Sequence, residues 1–256
     1  YATKGLGEKM PLFRKKHKLD NEALKRGVGL ITVTDPNSVV SEQFRTIRTN
    51  IQFSSADKKL RSIVVSSAEP SEGKSTVSSN LAVVWAKQNQ KVVLVDADLR
   101  RPIAHRTFNL LNAAGLSSLL TNNAVYEEVV QTTNIPNLSV ISSGPVPPNP
   151  AELLNSRNLG SLLERLITEF DVVIIDAPPV NTVTDAQLLA SKADGTILVV
   201  PQGLAEKGSV THAVEQLKTV HANLLGTIMN RFKADKTAGY YGGYYGGYYG
   251  VDDKND

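Results

Sequence analysis

The stretch Ala68-Glu69-Pro70-Ser71-Glu72-Gly73-Lys74-Ser75-Thr76 carries the residue types a phosphate cradle requires. Successive backbone N–H groups wrap phosphate oxygens in such a loop, the Lys74 ammonium reaches the terminal phosphates, and the Ser75 hydroxyl ligates magnesium. A helix starting at Ser75 would point its positive end at the same phosphates. Ser71, Glu72, Gly73, Lys74, Ser75 and Thr76 are therefore candidate nucleotide-binding residues, in a Walker A loop whose usual first glycine is Ala68.

Two further apolar runs end in carboxylates. Val92–Val95 leads into Asp96-Ala97-Asp98-Leu99-Arg100-Arg101-Pro102, and Val172–Ile175 leads into Asp176-Ala177-Pro178-Pro179. A carboxylate at the end of a buried strand is costly unless a cation holds it. Asp96 and Asp98 suit a magnesium shell and a proton acceptor; the plainer alternative is a turn cap at Asp96 and an Asp98–Arg100 pair. Asp176 suits the Walker B carboxylate that holds magnesium directly or through water, or else a turn before proline. Lys74, Asp96, Asp98 and Asp176 are the catalytic candidates, with Ser75, Asp98 and Asp176 nearest the metal. Thr227–Phe232 ends in Asn230 and Arg231, either of which would reach the base, the amide offering both a donor and an acceptor; a strand-ending turn is the alternative. Together the three motif segments define an ATP–magnesium site.

The elements that must position these groups are legible from period. Ser62–Ser66, Lys91–Val95, Leu138–Ile141, Val172–Ile175, Thr196–Val200 and Leu224–Met229 are short β-branched runs separated by helical stretches. That alternation predicts an α/β fold, a parallel sheet with helices on both faces and the ligand at the carboxyl ends of the strands. Val40, Phe44, Ile47 and Ile51 recur at helical spacing after a Ser38 cap, predicting an amphipathic helix over residues 38–53. Trp85, in the helix after the loop, reads as core.

A length of 256 residues suits one large domain with tails. The expected division is a flexible basic tail over 1–27, a nucleotide-binding domain over 28–235 and a tyrosine-rich tail over 236–256. Met10 would serve as a start, making residues 1–9 a piece grafted from elsewhere. A net charge of +3 gives no case for nucleic acid, and the absence of cysteine excludes disulfides and thiolate chemistry and fits a reducing cytoplasm. No run approaches the ~20 apolar residues of a membrane span. His17, His105, His212 and His221 lack ligand spacing.

Tyr240, Tyr241, Tyr244, Tyr245, Tyr248 and Tyr249 lie in pairs between glycines. Taken with the loop around Lys74, the Asp96-Ala97-Asp98-Leu99-Arg100 segment and Asp176, this cluster makes residues 41–249 resemble the bacterial tyrosine kinases of capsule and exopolysaccharide assembly (BY-kinases), within the MinD/ParA-like branch of P-loop NTPases. The resemblance implies ATP and Mg²⁺ as cofactors, Asp96 as the base that takes the tyrosine proton, and the six tail tyrosines as phosphoacceptors. It also implies that Glu42, Arg45 and Arg48 lie on an intersubunit face of a ring, by analogy an octamer. Its split form implies a cytoplasmic kinase held at the inner face of the membrane by an adaptor of the polysaccharide co-polymerase type, and a cognate tyrosine phosphatase. Rival readings are a MinD/ParA-like positioning ATPase, which would carry a signature lysine where Glu69 stands, and a nucleotide-gated scaffold of a polysaccharide assembly complex. A dinucleotide fold lacks its spaced glycines.

Overall fold

The computed structural model describes residues 24–54 and 59–232. Its strands are β1 (Ser62–Ser67), β2 (Val92–Asp96), β3 (Val130–Thr132), β4 (Leu138–Ile141), β5 (Val172–Asp176), β6 (Gly195–Pro201) and β7 (Leu224–Asn230). The helices are α1 (Ile31–Thr34), α2 (Val39–Phe53), α3 (Lys74–Ala86), α4 (Ala104–Thr107), α5 (Leu116–Leu120), α6 (Tyr126–Val129), α7 (Pro150–Leu154), α8 (Arg157–Glu169), α9 (Asp185–Ala190) and α10 (Lys207–Thr219).

The strands form one seven-stranded sheet in the order β3-β4-β2-β5-β1-β6-β7. Every pairing is parallel except β3 with β4. β3 is the strand the period did not predict, because three half-exposed residues at a sheet edge carry no apolar run.

Strand period divides the core between the two faces. Val64, Val93, Val95, Val173 and Ile175 point into a cluster closed by α8, α9 and α10. Their neighbours Ile63, Val65, Val92, Leu94, Val172 and Ile174 point the other way, onto α3. Burial on both faces explains why these runs are continuously apolar, and why α3, packed between the sheet and α2, is buried nearly all round, Trp85 included. Among the described residues no helix is long and apolar enough to cross a membrane.

In α2 the Ser38 hydroxyl caps the Ser41 N–H at 3.3 Å, as the sequence suggests. The inward stripe is Ser41, Phe44, Arg48 and Ile51, whereas Val40 is exposed. The segment before it differs from the tail expected up to residue 27. Leu24, Arg26 and Gly27 line the cavity at the carboxyl ends of the central strands, and Gly27, at φ +83°, lies so close to the Thr107 backbone that a Cβ would meet it at 2.6 Å. Buried Asn80 then ties α1 to α3, its Oδ1 accepting from the Thr32 hydroxyl at 2.8 Å and its Nδ2 donating to the Gly29 carbonyl at 3.0 Å.

Candidate active site

β1, β2 and β5 are neighbours in the sheet, so the loops leaving their carboxyl ends meet at one place. A cavity of about 690 Å³ opens there, lined by Ser71, Gly73–Thr76, Asp98, Arg100, Arg101, Pro178, Pro179, Thr182, Val183 and Arg231, together with the Leu24–Gly29 segment.

The loop after β1 turns without its first glycine because Ala68 takes an ordinary negative φ and is fully buried. The left-handed residues are Ser71 and Gly73, at φ +65° and +96°. A side chain at Gly73 would be strained by that φ and would place its Cβ 2.0 Å from Asn230 Nδ2. Asn230 Nδ2 donates to the Glu72 carbonyl at 2.9 Å, and its Oδ1 accepts the Arg231 N–H at 2.8 Å. Arg231 Nη2 donates to the Ser71 carbonyl at 3.0 Å. The two residues expected at the base thus brace the loop through its backbone, with Arg231 also on the cavity wall.

Lys74, the first residue of α3, directs its ammonium to Asp98 Oδ2 at 2.8 Å and lies 3.5 Å from Asp176 Oδ1 and 3.3 Å from Ser75 Oγ. Burial alone would depress this ammonium, but the charges of Asp176 and Asp98 outweigh it and hold Lys74 above its ordinary value. Burial likewise opposes ionisation of Asp98, yet the Lys74 ammonium and the Arg101 N–H keep its carboxyl below the usual range. In Asp176 burial prevails over Lys74 and the carboxyl is raised.

Asp96 is fully buried and does not line the cavity. Its Oδ2 accepts the N–H groups of Ile103 and Ala104 at 2.9 and 2.8 Å, while Oδ1 has no partner. Burial, and then the Asp176 charge, push its carboxyl up to about 7. The alternative pairing of Asp98 with Arg100 gives way to another: Arg100 makes two bonds, at 3.0 and 3.2 Å, to Asp185, which is fully buried at the start of α9. Sequence reasoning missed Asp185, whose only signal is an acid at a helix start, and Asn80, a polar residue inside an apolar helix.

The donor set fits magnesium. Asp176 Oδ1 and Asp96 Oδ1 are buried oxygens without hydrogen-bond partners, and Asp98 and Asp176 share one cation beside the Ser75 hydroxyl. Among the described residues no group of three or more His, Cys, Asp or Glu side chains is placed to hold a metal by itself. Magnesium takes one or two carboxylates and completes its shell with water and phosphate.

Glu42, Arg45 and Arg48 do not share one outward face. Arg45 pairs with Glu42 and donates to the Pro36 carbonyl at 2.6 Å, while buried Arg48 turns inward to the Val84 carbonyl of α3 at 2.9 Å. The six tail tyrosines lie outside the described residues.

The fold and the loop around Lys74 define a P-loop NTPase, and residues 60–228 match the AAA domain family. MinD from Pyrococcus horikoshii, solved with Mg-ADP, shares the fold at 24% identity and a TM-score of 0.59, over 69% of this chain and 72% of that one. Tyrosine-protein kinase YwqD of Bacillus subtilis (strain 168) is 48% identical over 215 residues, 83% of this chain and 91% of that protein. The chimerical protein CapA2B2 superposes with a TM-score of 0.78 at 40% identity, covering 84% of this chain and 99% of that one. The chain belongs to the bacterial tyrosine-protein kinases, the BY-kinases.

Proposed function

We propose that this chain is an ATP- and magnesium-dependent protein tyrosine kinase that phosphorylates its own tail at Tyr240, Tyr241, Tyr244, Tyr245, Tyr248 and Tyr249, and thereby regulates capsular or exopolysaccharide synthesis and export. The observation that carries it is Lys74 and Asp98 lining a cavity at the carboxyl ends of β1, β2 and β5, with Asp176 buried 3.5 Å from the Lys74 ammonium, in a chain whose relatives are named tyrosine-protein kinases.

In this reading the backbone N–H groups of residues 71–76 hold the phosphates, and Lys74 leaves its carboxylate partners to neutralise the terminal phosphates. Ser75, Asp98 and Asp176 hold magnesium, which when bound offsets the charge developing on the transferred phosphoryl group. Asn230 and Arg231 keep the loop in shape. A tyrosine hydroxyl, with an ordinary pKa of about 10, needs a neighbouring acceptor to become a good nucleophile. Asp96 is assigned that proton at Oδ1, its raised pKa bringing it close to the working pH; because it is buried off the cavity wall in this structure, the turn after β2 must open before a tyrosine hydroxyl reaches it.

Transfer between subunits of a ring, with helix 39–53 at the interface, would present each tail to a neighbouring site. Each phosphate adds about 1.5 to 2 negative charges, and their repulsion would loosen the ring. A membrane adaptor and an opposing tyrosine phosphatase complete the cycle, the chain working at the inner face of the membrane.

The test is intact-mass spectrometry after incubation with magnesium and ATP, comparing the parent with Lys74→Met and with a protein whose six tail tyrosines are phenylalanine. Stepwise phosphate additions lost in both variants support the reading. ATP hydrolysis without any phosphate on protein overturns it in favour of a positioning ATPase.

A further inference from the structure

Glu69 occupies the position after Ala68 at the mouth of the phosphate loop, and its carboxylate is turned away from the phosphate cradle. Its Oε1 accepts the Ser209 hydroxyl at 2.5 Å and the Asn181 amide at 3.2 Å. Asn181 Nδ2 also reaches the Ser209 carbonyl and hydroxyl, both at 2.9 Å, and the Asn181 N–H donates to the Ala68 carbonyl at 3.3 Å. Asn181 Oδ1 is buried without a partner, so the orientation of that amide is set by Glu69 and Ser209 alone. Three segments meet here: the loop after β1, the chain that follows Asp176, and the first turn of α10.

The position of Asn181 gives the cluster its consequence. The next two residues, Thr182 and Val183, line the cavity across from Asp98 and Arg100, and the same segment ends at Asp185, the partner of Arg100. Upstream it is already tied down, with the Val180 N–H on the Ser67 carbonyl at 2.8 Å and the Ser66 hydroxyl on the Pro178 carbonyl at 2.6 Å. Between Val180 and Asp185 the side-chain anchor is the Asn181 amide. The phosphate loop does not need Glu69's carboxylate for its own shape, because the Glu69 N–H is held by Glu72 Oε2 at 2.9 Å and its carbonyl by the Ser67 hydroxyl at 2.8 Å.

We infer that Glu69 is a positioning residue for phosphoryl transfer: through Asn181 and Ser209 its carboxylate fixes the Thr182–Val183 wall of the cavity relative to the phosphate loop. The inference rests on the kinase reading only for its preferred readout. A wall that drifts by an ångström loses transfer rate, since productive geometry is held within fractions of that distance. The loop that grips the nucleotide keeps its own supports.

The experiment compares Glu69→Ala, Glu69→Gln, Asn181→Ala, Ser209→Ala and the Glu69→Ala/Asn181→Ala double variant by tail phosphorylation, magnesium-dependent ATP hydrolysis, affinity for a fluorescent ADP analogue and thermal melting. Glu69→Ala should lower kcat about tenfold while ADP affinity stays within about twofold. Glu69→Gln, whose amide oxygen still accepts from Ser209 and Asn181, should recover most of the rate. Ser209→Ala should fall between them, and the double variant should be no worse than the worse single one, the sign of groups acting as a unit. An unchanged kcat in Glu69→Ala, or additive losses in the double variant, overturns the inference. So does a loss that tracks the unfolded fraction in the melts. Should no protein carry phosphotyrosine while hydrolysis still depends on Glu69 and is rescued by glutamine, the kinase reading fails and the positioning role stands.

Discussion

Asp96 and Asp176 are register partners at the ends of neighbouring strands β2 and β5, so two carboxylates are buried side by side. Among the described residues the cation that stands beside them is Lys74, and it lies nearer to Asp98, 2.8 Å away, than to Asp176 at 3.5 Å. The pair is therefore short of positive charge: burial and then the Asp176 charge raise Asp96, while in Asp176 burial, aided by the Asp98 charge, prevails over Lys74.

Asp96→Asn separates chemistry from stability. The amide oxygen still accepts from Ile103 and Ala104, so the turn after β2 is kept. Loss of a proton acceptor should cut phosphoryl transfer by about 10²- to 10⁴-fold. The stability effect has the opposite sign. The folded carboxyl sits near 7, above its ordinary 3.8, so the folded state retains a proton that the unfolded chain has released. The resulting cost is absent below the unfolded value, grows as pH rises and is complete above about 7. Urea unfolding from pH 4 to 8 should show a decline in the parent that flattens in Asp96→Asn; parallel curves would place the titration elsewhere.

Lys74→Met removes the cation shared by Asp98 and Asp176. Nucleotide affinity and transfer should both fall, transfer below detection. The variant should also gain stability from magnesium alone, because a divalent ion would now offset the carboxylates that the ammonium had neutralised. Melting with and without magnesium, in the absence of nucleotide, reads this directly. A parent that responds to magnesium more than the variant would contradict the account of the cluster.

Arg100→Ala strips the partner from Asp185, a fully buried carboxylate. Leaving such a charge unpaired costs about 3 to 5 kcal/mol for a wholly buried pair, and less here because the Arg100 side chain is partly exposed, so about 2 kcal/mol is expected. Arg100→Ala/Asp185→Ala should recover part of that loss, having no stranded charge. Denaturant midpoints of the two variants check the order.

How much of this was legible in the sequence follows from what each residue depends on. The strands were legible because burial on both faces makes them continuously apolar, and the candidate phosphate loop was legible because its residues, 71–76, are adjacent in sequence. The partners of Arg100, Glu69 and Arg48 were not, because Asp185, Ser209 and Val84 are 85, 140 and 36 residues away and are brought near only by tertiary packing. Arg48 shows the limit most clearly. The family resemblance implied an intersubunit face for it together with Glu42 and Arg45, whereas in this structure the 100° turn per residue carries it round to α3. Asn230 and Arg231 were expected at the base, whereas the structure turns them onto the carbonyls of Glu72 and Ser71, contacts that depend on positive φ at Ser71 and Gly73, which the sequence does not state.

Gly73 and Ala68 make opposite predictions within one loop. At Gly73 the φ of +96° and the 2.0 Å approach of Asn230 Nδ2 both exclude a Cβ, so Gly73→Ala must displace the amide that holds the Glu72 carbonyl. The loop then loses a brace where its N–H groups meet phosphate, and affinity for an ADP analogue should fall about tenfold or more, with strain of about 1 to 3 kcal/mol against folding. Ala68 has an ordinary φ and is fully buried, so restoring the usual glycine gains no needed freedom. Ala68→Gly should bind ADP as the parent does and melt earlier by about 1 kcal/mol of stability, from the unfolded chain's added entropy. Titration of both variants beside their melting curves tests the pair, and tighter binding in Ala68→Gly would show that the alanine strains the loop.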